Sequence, residues 1–242
     1  MRLLKIYLAI LLFFTTSIFV SQTNFYGIIE YESKINGKKL DEYLSKKRSE
    51  IKNNYVVKSL DKVFFYTKGI KSKLIFTDRK GLFIVEDKLS LDIQDLGQRI
   101  NYTSAGGTKE YYYDDNNKTY LIKECDAVGE CFIFPNKFLK WQLTQETKKI
   151  NGYISYKATR SNGKVIAWYT PKIPISFGPK GEYGLPGLIL ELAIGKIIFK
   201  AKKIVLNPKQ KIIVEELKGG EFVTFEEYKK IIAKAKKKVF GN

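Results

Sequence analysis

Histidine is missing from all 242 residues, so the chemistry open to this chain rests on carboxylates, cysteines and lysines. Without an imidazole, Ser-His-Asp and Cys-His centres and His-bearing zinc sites are excluded, and the commonest acid–base side chain is absent. Paired carboxylates remain, since glycoside hydrolysis needs only two. Asp114-Asp115 stand beside Asn116-Asn117, a composition expected of an exposed hairpin tip, and lack the oxygen ligands of an EF-hand loop. Glu182 and Glu191 flank a glycine-rich stretch, and nothing in their spacing makes them converge. Cys125 and Cys131 are the only cysteines, separated by a short loop between strand-like flanks, Thr119–Glu124 and Phe132–Phe134. In an exported chain a disulfide is the natural reading, contributing about 2 kcal/mol by loop entropy. With no histidine and a single methionine, ligands for a metal site are in short supply, and neither metal nor cofactor is expected.

The strongest shift in composition is TPKIPISFGPKGEYGLPGL, which holds four of the six prolines, with glycines at 178, 181, 184 and 187. Three triplets cannot sustain a collagen helix, and a phosphate-cradling loop would need GxxxxGK[ST]. What remains is a rigid loop, in which prolines fix φ and glycines take conformations closed to other residues. Ahead of it Ala167-Trp168-Tyr169-Thr170-Pro171 ends a strand in aromatics, and Ile173, Ile175 and Phe177 alternate through an extended segment. Two readings stand. Either the loop plugs one end of a sheet, or Tyr183, Leu185 and Leu188 form a recognition surface on a rigid frame.

These residues must be carried by elements, and the first segment is of another kind. MRLLKIYLAILLFFTTSIFVSQ pairs a positive start, Arg2 and Lys5, with an apolar run from Ile6 to Val20. The run is too short to span a bilayer and reads as a signal peptide over residues 1–21, cleaved near Ser21. An extracytoplasmic protein, periplasmic or secreted, is expected, with residues 22–242 as one β-rich domain. At 44% hydrophobic and 14% aromatic residues, that domain can build its core without depending on disulfides.

The formal charge is +18, about +16 once the signal is removed, and favours anionic partners such as lipid head groups. Arginine supplies only five of the 43 positive residues. Bidentate reading of phosphates and bases prefers arginine, so nucleic acid is not an expected partner.

Period-two apolar patterns predict about ten strands. They cover Phe25–Ser33, Val63–Lys68, Ser72–Asp78, Gly81–Glu86, Glu110–Asp115, Thr119–Lys123, Phe138–Thr144, Gly152–Arg160, Lys164–Thr170, Leu188–Ile194 and Ile197–Leu206. Ser161-Asn162-Gly163 is a tight turn. Lys38–Asn53 reads as an exposed helix or a ragged loop, and Leu89–Gly107 as an unpatterned excursion. At the end, Thr224 and Glu227 form a capping box with Val223 and Tyr228 as a staple, and Tyr228, Ile232, Ala235 and Val239 share one face of a lysine-rich helix. The expectation is a mainly β fold: an extended, twisted antiparallel sheet curled towards a half-barrel, with a C-terminal amphipathic helix. Strand count and that helix suggest similarity to the curved sheets of periplasmic lipoprotein carriers. A ligand would sit on the concave face.

Gly184-Leu185-Pro186-Gly187-Leu188-Ile189 resembles the hexapeptide that names the GLPGLI proteins, also called the Porph_ging domain. Lys148, Ile150-Asn151-Gly152-Tyr153 and Lys157-Ala158 are similar to that family's K-x-I-x-G-Y…K-A segment. Ala167 to Pro171, Ile173-Pro174 and Gly178-Pro179 then follow in order, and TFEEYKK closes the match. The resemblance runs from about Trp141 to the C-terminus and is much weaker before Tyr55. It implies an exported bacterial envelope protein, rich in β-structure and of no established activity. The first expectation for function is a non-catalytic binding or accessory module for an apolar ligand or a membrane-protein partner. Its candidate residues are Trp168, Tyr169, Pro171, Pro174, Gly178, Pro179, Tyr183, Gly184, Leu185, Pro186, Gly187, Leu188 and Ile189. A carboxylate-based hydrolase and a purely structural surface protein are the alternatives. An outer-membrane protein, a lipid or an anionic envelope surface would be the partner.

Overall fold

The computed structural model describes residues 25–37, 68–86, 96–126 and 128–240, with residues 42, 45 and 46. The signal-like segment, all but Lys68 of the strand expected at Val63–Lys68, and most of Lys38–Asn53 lie outside these. Six strands come first: β1 (Tyr26–Ile35), β2 (Ile70–Thr77), β3 (Lys80–Val85), β4 (Glu110–Asp114), β5 (Thr119–Glu124) and β6 (Phe132–Pro135). A helix, α1 (Leu96–Ala105), interrupts them between β3 and β4. Then follow β7 (Gln142–Ile150), β8 (Tyr153–Arg160), β9 (Val165–Thr170), β10 (Leu188–Ile194), β11 (Ile197–Leu206), the two-residue β12 (Glu221–Phe222) and α2 (Phe225–Phe240).

The twelve strands of the described residues join one open sheet in the order β12-β6-β5-β4-β3-β2-β1-β11-β10-β9-β8-β7. Each neighbouring pair is antiparallel except the short parallel contact of β12 with β6. The chain thus makes one meander outward from β1 to β6 and a second inward from β7 to β11, fused where β1 pairs with β11, from Gly27 opposite Leu206 to Ile35 opposite Ile197.

That order forces curvature. Ten strand spacings separate β6 from β7, about 48 Å if the sheet were flat. Only the residues between Pro135 and Gln142 join them, and so short a chain reaches at most about 25 Å. The sheet therefore curls until its two ends approach, as the half-barrel expectation requires, and among the described residues β7 and β12 are its edges. The two-residue length of β12 and the lysines of β7 guard those edges against further pairing.

Alternation then makes the inside. Ile29, Tyr31 and Ser33 of β1, Ser72, Leu74 and Phe76 of β2, and Phe83 of β3 are buried. They meet Tyr111, Tyr113, Tyr169, Leu192 and Phe199 in one core. Tyr112 faces the other way, with Leu121 and Ile133, under Leu217 and Val214 of the strap that leads from β11 to β12. The cysteines are joined as a Cys125–Cys131 disulfide between β5 and β6.

The structure corrects the sequence reading in two places. Part of the expected excursion is α1. Its Asn101 is fully buried and donates to the Lys68 carbonyl (2.7 Å), while Gln98 accepts from the Lys68 amide (3.0 Å). These side-chain bonds tie α1 to the start of β2. The helix stops where Gly107, at φ 62°, donates to the Tyr102 carbonyl, the usual glycine ending. The second correction is Phe138–Thr144. The strand starts only at Gln142; Leu139 is buried and Trp141 half-buried in the link, but Phe138 and Leu143 are 84% and 58% exposed. Apolar alternation there reflects two anchors of a curved connection, not one face of a strand.

Candidate functional site

Between β9 and β10 the glycine–proline segment turns into the hollow of the curled sheet. Ile173, Ile175 and Phe177 are buried, whereas Pro171, Pro174 and Pro186 stay on the surface. The segment folds on itself through Leu188 N–H to the Ile173 carbonyl (3.0 Å), Ile189 N–H to Phe177 (3.2 Å) and Gly184 N–H to Ser176 (2.9 Å). At Gly187 a side chain has no room, because a Cβ would lie 2.2 Å from the Thr170 carbonyl oxygen, and φ is 153°. Only glycine fits this crossing.

Side chains from both meanders then hold the segment. The Tyr113 hydroxyl donates to the Gly178 carbonyl (2.7 Å) and accepts from Gly181 N–H (3.0 Å). Tyr31 donates to the Ile189 carbonyl (2.7 Å). From the β6–β7 link, Asn136 donates to Gly181 (2.6 Å), Trp141 Nε1 donates to Tyr183 (2.9 Å), and the Tyr183 hydroxyl returns a bond to Lys137 (3.0 Å). Tyr120 stacks on Tyr183 at 3.7 Å and Tyr113 on Phe177 at 4.9 Å. Asp115 accepts from Tyr120 and from Ser176, so the supposed hairpin-tip carboxylate also serves the plug. Its neighbour Asp114 is buried and caps the turn, accepting from the Asn116 and Asn117 amides.

One charged pair is sealed inside. Arg160 grips both oxygens of Glu182, with Nε 2.9 Å from Oε2, and both residues are buried. Burial pushes the Glu182 carboxyl up, and the Arg160 guanidinium opposes that shift without cancelling it. Burial likewise drives the Tyr113 hydroxyl well above its ordinary value, so it remains a donor.

The nominated residues therefore separate into three groups. Tyr169, Gly178, Pro179, Tyr183, Leu185, Gly187, Leu188 and Ile189 are interior. Pro171, Pro174, Gly184 and Pro186 are its exposed face. Trp168 points outward from β9 with Lys148 4.2 Å over its ring, and that lysine also pairs with Glu191 (2.9 Å). The sequence reading missed Tyr31, Tyr113, Asn136 and Arg160, which anchor the segment from distant strands.

Among the described residues, three hollows border this framework. One, of about 380 Å³, lies where α1 faces the β10–β11 turn and the end of β1. Ile35, Ile100, Ile194 and Ile197 wall it, with Ser104, Lys180 and Lys196 as its polar groups. Each wall has a local cause. Ile35 pairs with Ile197 at the end of the β1–β11 ladder, Ile194 pairs with Ile197 across the hairpin, and Ile100 and Ser104 fall one turn apart on α1. Lys180 enters from the plug, where φ 56° and ψ 39° place it in the left-handed region, and its Nζ donates to the Ser104 carbonyl (2.6 Å). Burial pulls its ammonium below the ordinary lysine value; Lys109 adds to this and Glu182 opposes it. A cleft of about 250 Å³ runs along the exposed prolines and holds Asp78, Arg79 and Asp115. A polar groove of about 310 Å³ surrounds Glu32, which pairs with Lys34 (2.7 Å) and Lys202 (3.1 Å).

The comparisons fall on this same framework. A comparison with curated proteins finds no match. Two solved structures of PNGF-II, in different crystal forms, are similar to this chain at 19% and 17% identity, with TM-scores of 0.50 and 0.51. Each match covers 88% of this chain and 34% of the PNGF-II chain, so the chain spans about a third of PNGF-II. At that identity the likeness concerns the fold. A family model described as a protein of unknown function, Porph_ging, matches residues 159–191. That match runs from the end of β8, through Arg160 and the whole plug, to Glu191 of β10.

Proposed function

We propose that this chain is an exported envelope protein acting as a non-catalytic binding module, with an apolar ligand seated in the hollow beside α1. The observation that carries this reading is the hollow itself. Its walls are mainly apolar, and its volume, about 380 Å³, falls in the range of small-molecule sites. The glycine–proline segment contributes by its rigidity, holding Lys180 at the rim, because Leu185 and Leu188 are buried in the core and offer a partner no surface. Placement in the periplasm or outside the cell rests on the signal-like start of the sequence. Among the described residues no helix is long and apolar enough to cross a membrane. The lysine face of α2 gives the module a way to dwell at an anionic envelope surface.

The test is titration with 1-aminoanthracene, an uncharged fluorescent probe. Saturable one-site binding is expected, with Ile194→Trp abolishing it while circular dichroism stays native. Absence of saturable binding, or binding indifferent to the tryptophan, sinks the reading.

The hydrolase alternative has one observation in its favour: Asp78 and Asp115 line the same cleft. Both carboxylates are already engaged, Asp78 by the Phe25 amide and Asp115 by Tyr120 and Ser176. Two carboxylates committed to structural bonds are poorly placed for acid–base work, which leaves the binding module better supported.

A further inference from the structure

We propose that the ligand of the hollow beside α1 is a single-chain anionic amphiphile, its head paired with the Lys180 ammonium and its chain lying among Ile35, Ile100, Ile194 and Ile197. This rests on the binding-module reading above and adds the chemical class.

The charge inventory points to an anion. Among the described residues, the lining carries no carboxylate, and Lys180 brings its ammonium to the hollow from the plug. Glu182, two residues on from Lys180, has both its oxygens held by Arg160. Lys180 itself donates a hydrogen bond to the Ser104 carbonyl, which carries no charge to neutralise the ammonium. A half-buried ammonium at the rim of a hollow lined by no carboxylate among the described residues favours an anionic head beside it.

The backbone gives a second, independent reason. Lys180 stands in the left-handed region between Pro179 and Gly181, a conformation that costs a residue with a Cβ and clusters at functional positions. Glycine would fit the turn with less strain but would leave the hollow without this ammonium. The remaining space is apolar. Taking a methylene as about the volume of a water, roughly 30 Å³, the hollow holds a chain of about ten to twelve carbons.

The test compares decanoate, decyl phosphate and decan-1-ol by isothermal titration on the full chain, on Lys180→Met and on Lys180→Arg. In the unmodified protein at least one of the two anions should bind tenfold or more tightly than the alcohol, and the tighter anion identifies the head as carboxylate or phosphate. Lys180→Met should bring the anions to the level of the alcohol while leaving the alcohol unchanged, and Lys180→Arg should restore the preference. If the alcohol binds as well as both anions, or Lys180→Met leaves the preference intact, the anionic head is wrong and the apolar site stands. If none of the three binds, the binding-module reading fails with it. The comparison within the unmodified protein decides the matter even if a variant misfolds.

Discussion

At the scale of single residues, the framework depends on a few polar groups reaching a buried segment from far along the chain. Tyr113 lies 65 residues from Gly178 and Tyr31 lies 158 from Ile189. No local pattern in the sequence announces such partners. An apolar side chain in a loop also reads the same whether it faces water or the core. The sequence leaves open whether Tyr183, Leu185 and Leu188 plug the sheet or form a recognition surface, and their burial fits the plug. Tyr113→Phe would leave the Gly178 carbonyl and the Gly181 amide unpartnered in the core and should cost about 2 kcal/mol, read as a lower denaturant midpoint at unchanged slope. Glu182→Gln would strand the buried Arg160 charge and should cost roughly 3–5 kcal/mol. A loss under 1 kcal/mol would mean that water reaches the pair.

At the scale of elements, legibility followed local chemistry. β10 and β11 begin and end at the residues that periodicity marked, Leu188–Ile194 and Ile197–Leu206, since each has its boundaries set by turn residues. The start of α2 was equally readable. The Thr224 amide and hydroxyl both donate to Glu227 Oε2 at 2.8 Å, and the Glu227 amide returns a bond to the Thr224 hydroxyl oxygen at 3.2 Å. Tyr228 docks this first turn by stacking on Phe134 at 4.0 Å. α1 escaped notice because its buried positions include Asn101, a polar residue whose reason to be inside is the Lys68 carbonyl.

The capping box makes a pH prediction with a definite sign. Bonds from the Thr224 amide and hydroxyl hold the Glu227 carboxyl below its ordinary value. Its contribution to α2 is thus fully present above the ordinary carboxylate value and is lost as pH falls through the lowered one. Protection factors of the first-turn amides of α2, taken relative to the intrinsic exchange rate at each pH, should fall on acidification over that window. Thr224→Ala should show low protection at every pH. A first turn whose protection ignores both changes would mean that the Tyr228–Phe134 stack, not the cap, holds the helix.

At the scale of the whole molecule, curvature was expected from strand number, yet its mechanism was not. The pairing of β1 with β11 joins residues such as Gly27 and Leu206 through backbone bonds that any two strands could make. The sequence therefore carries no signature of where the two meanders fuse. What fills the curled sheet and couples its two meanders is the plug between β9 and β10, because it bonds to Tyr31 of β1, Tyr113 of β4 and Trp141 of the β6–β7 link. The two meanders should accordingly unfold together, with the plug as their coupling. Gly187→Ala tests this, since the added Cβ would collide with backbone at Thr170 rather than with a side chain able to move. We expect it to cost about 3 kcal/mol and to lower hydrogen-exchange protection at Tyr113 and Leu121, on strands β4 and β5, as much as at Tyr169 and Leu190. If protection falls only in β9 and β10, the segment is a local turn, and the half-barrel is held by its strand pairing alone.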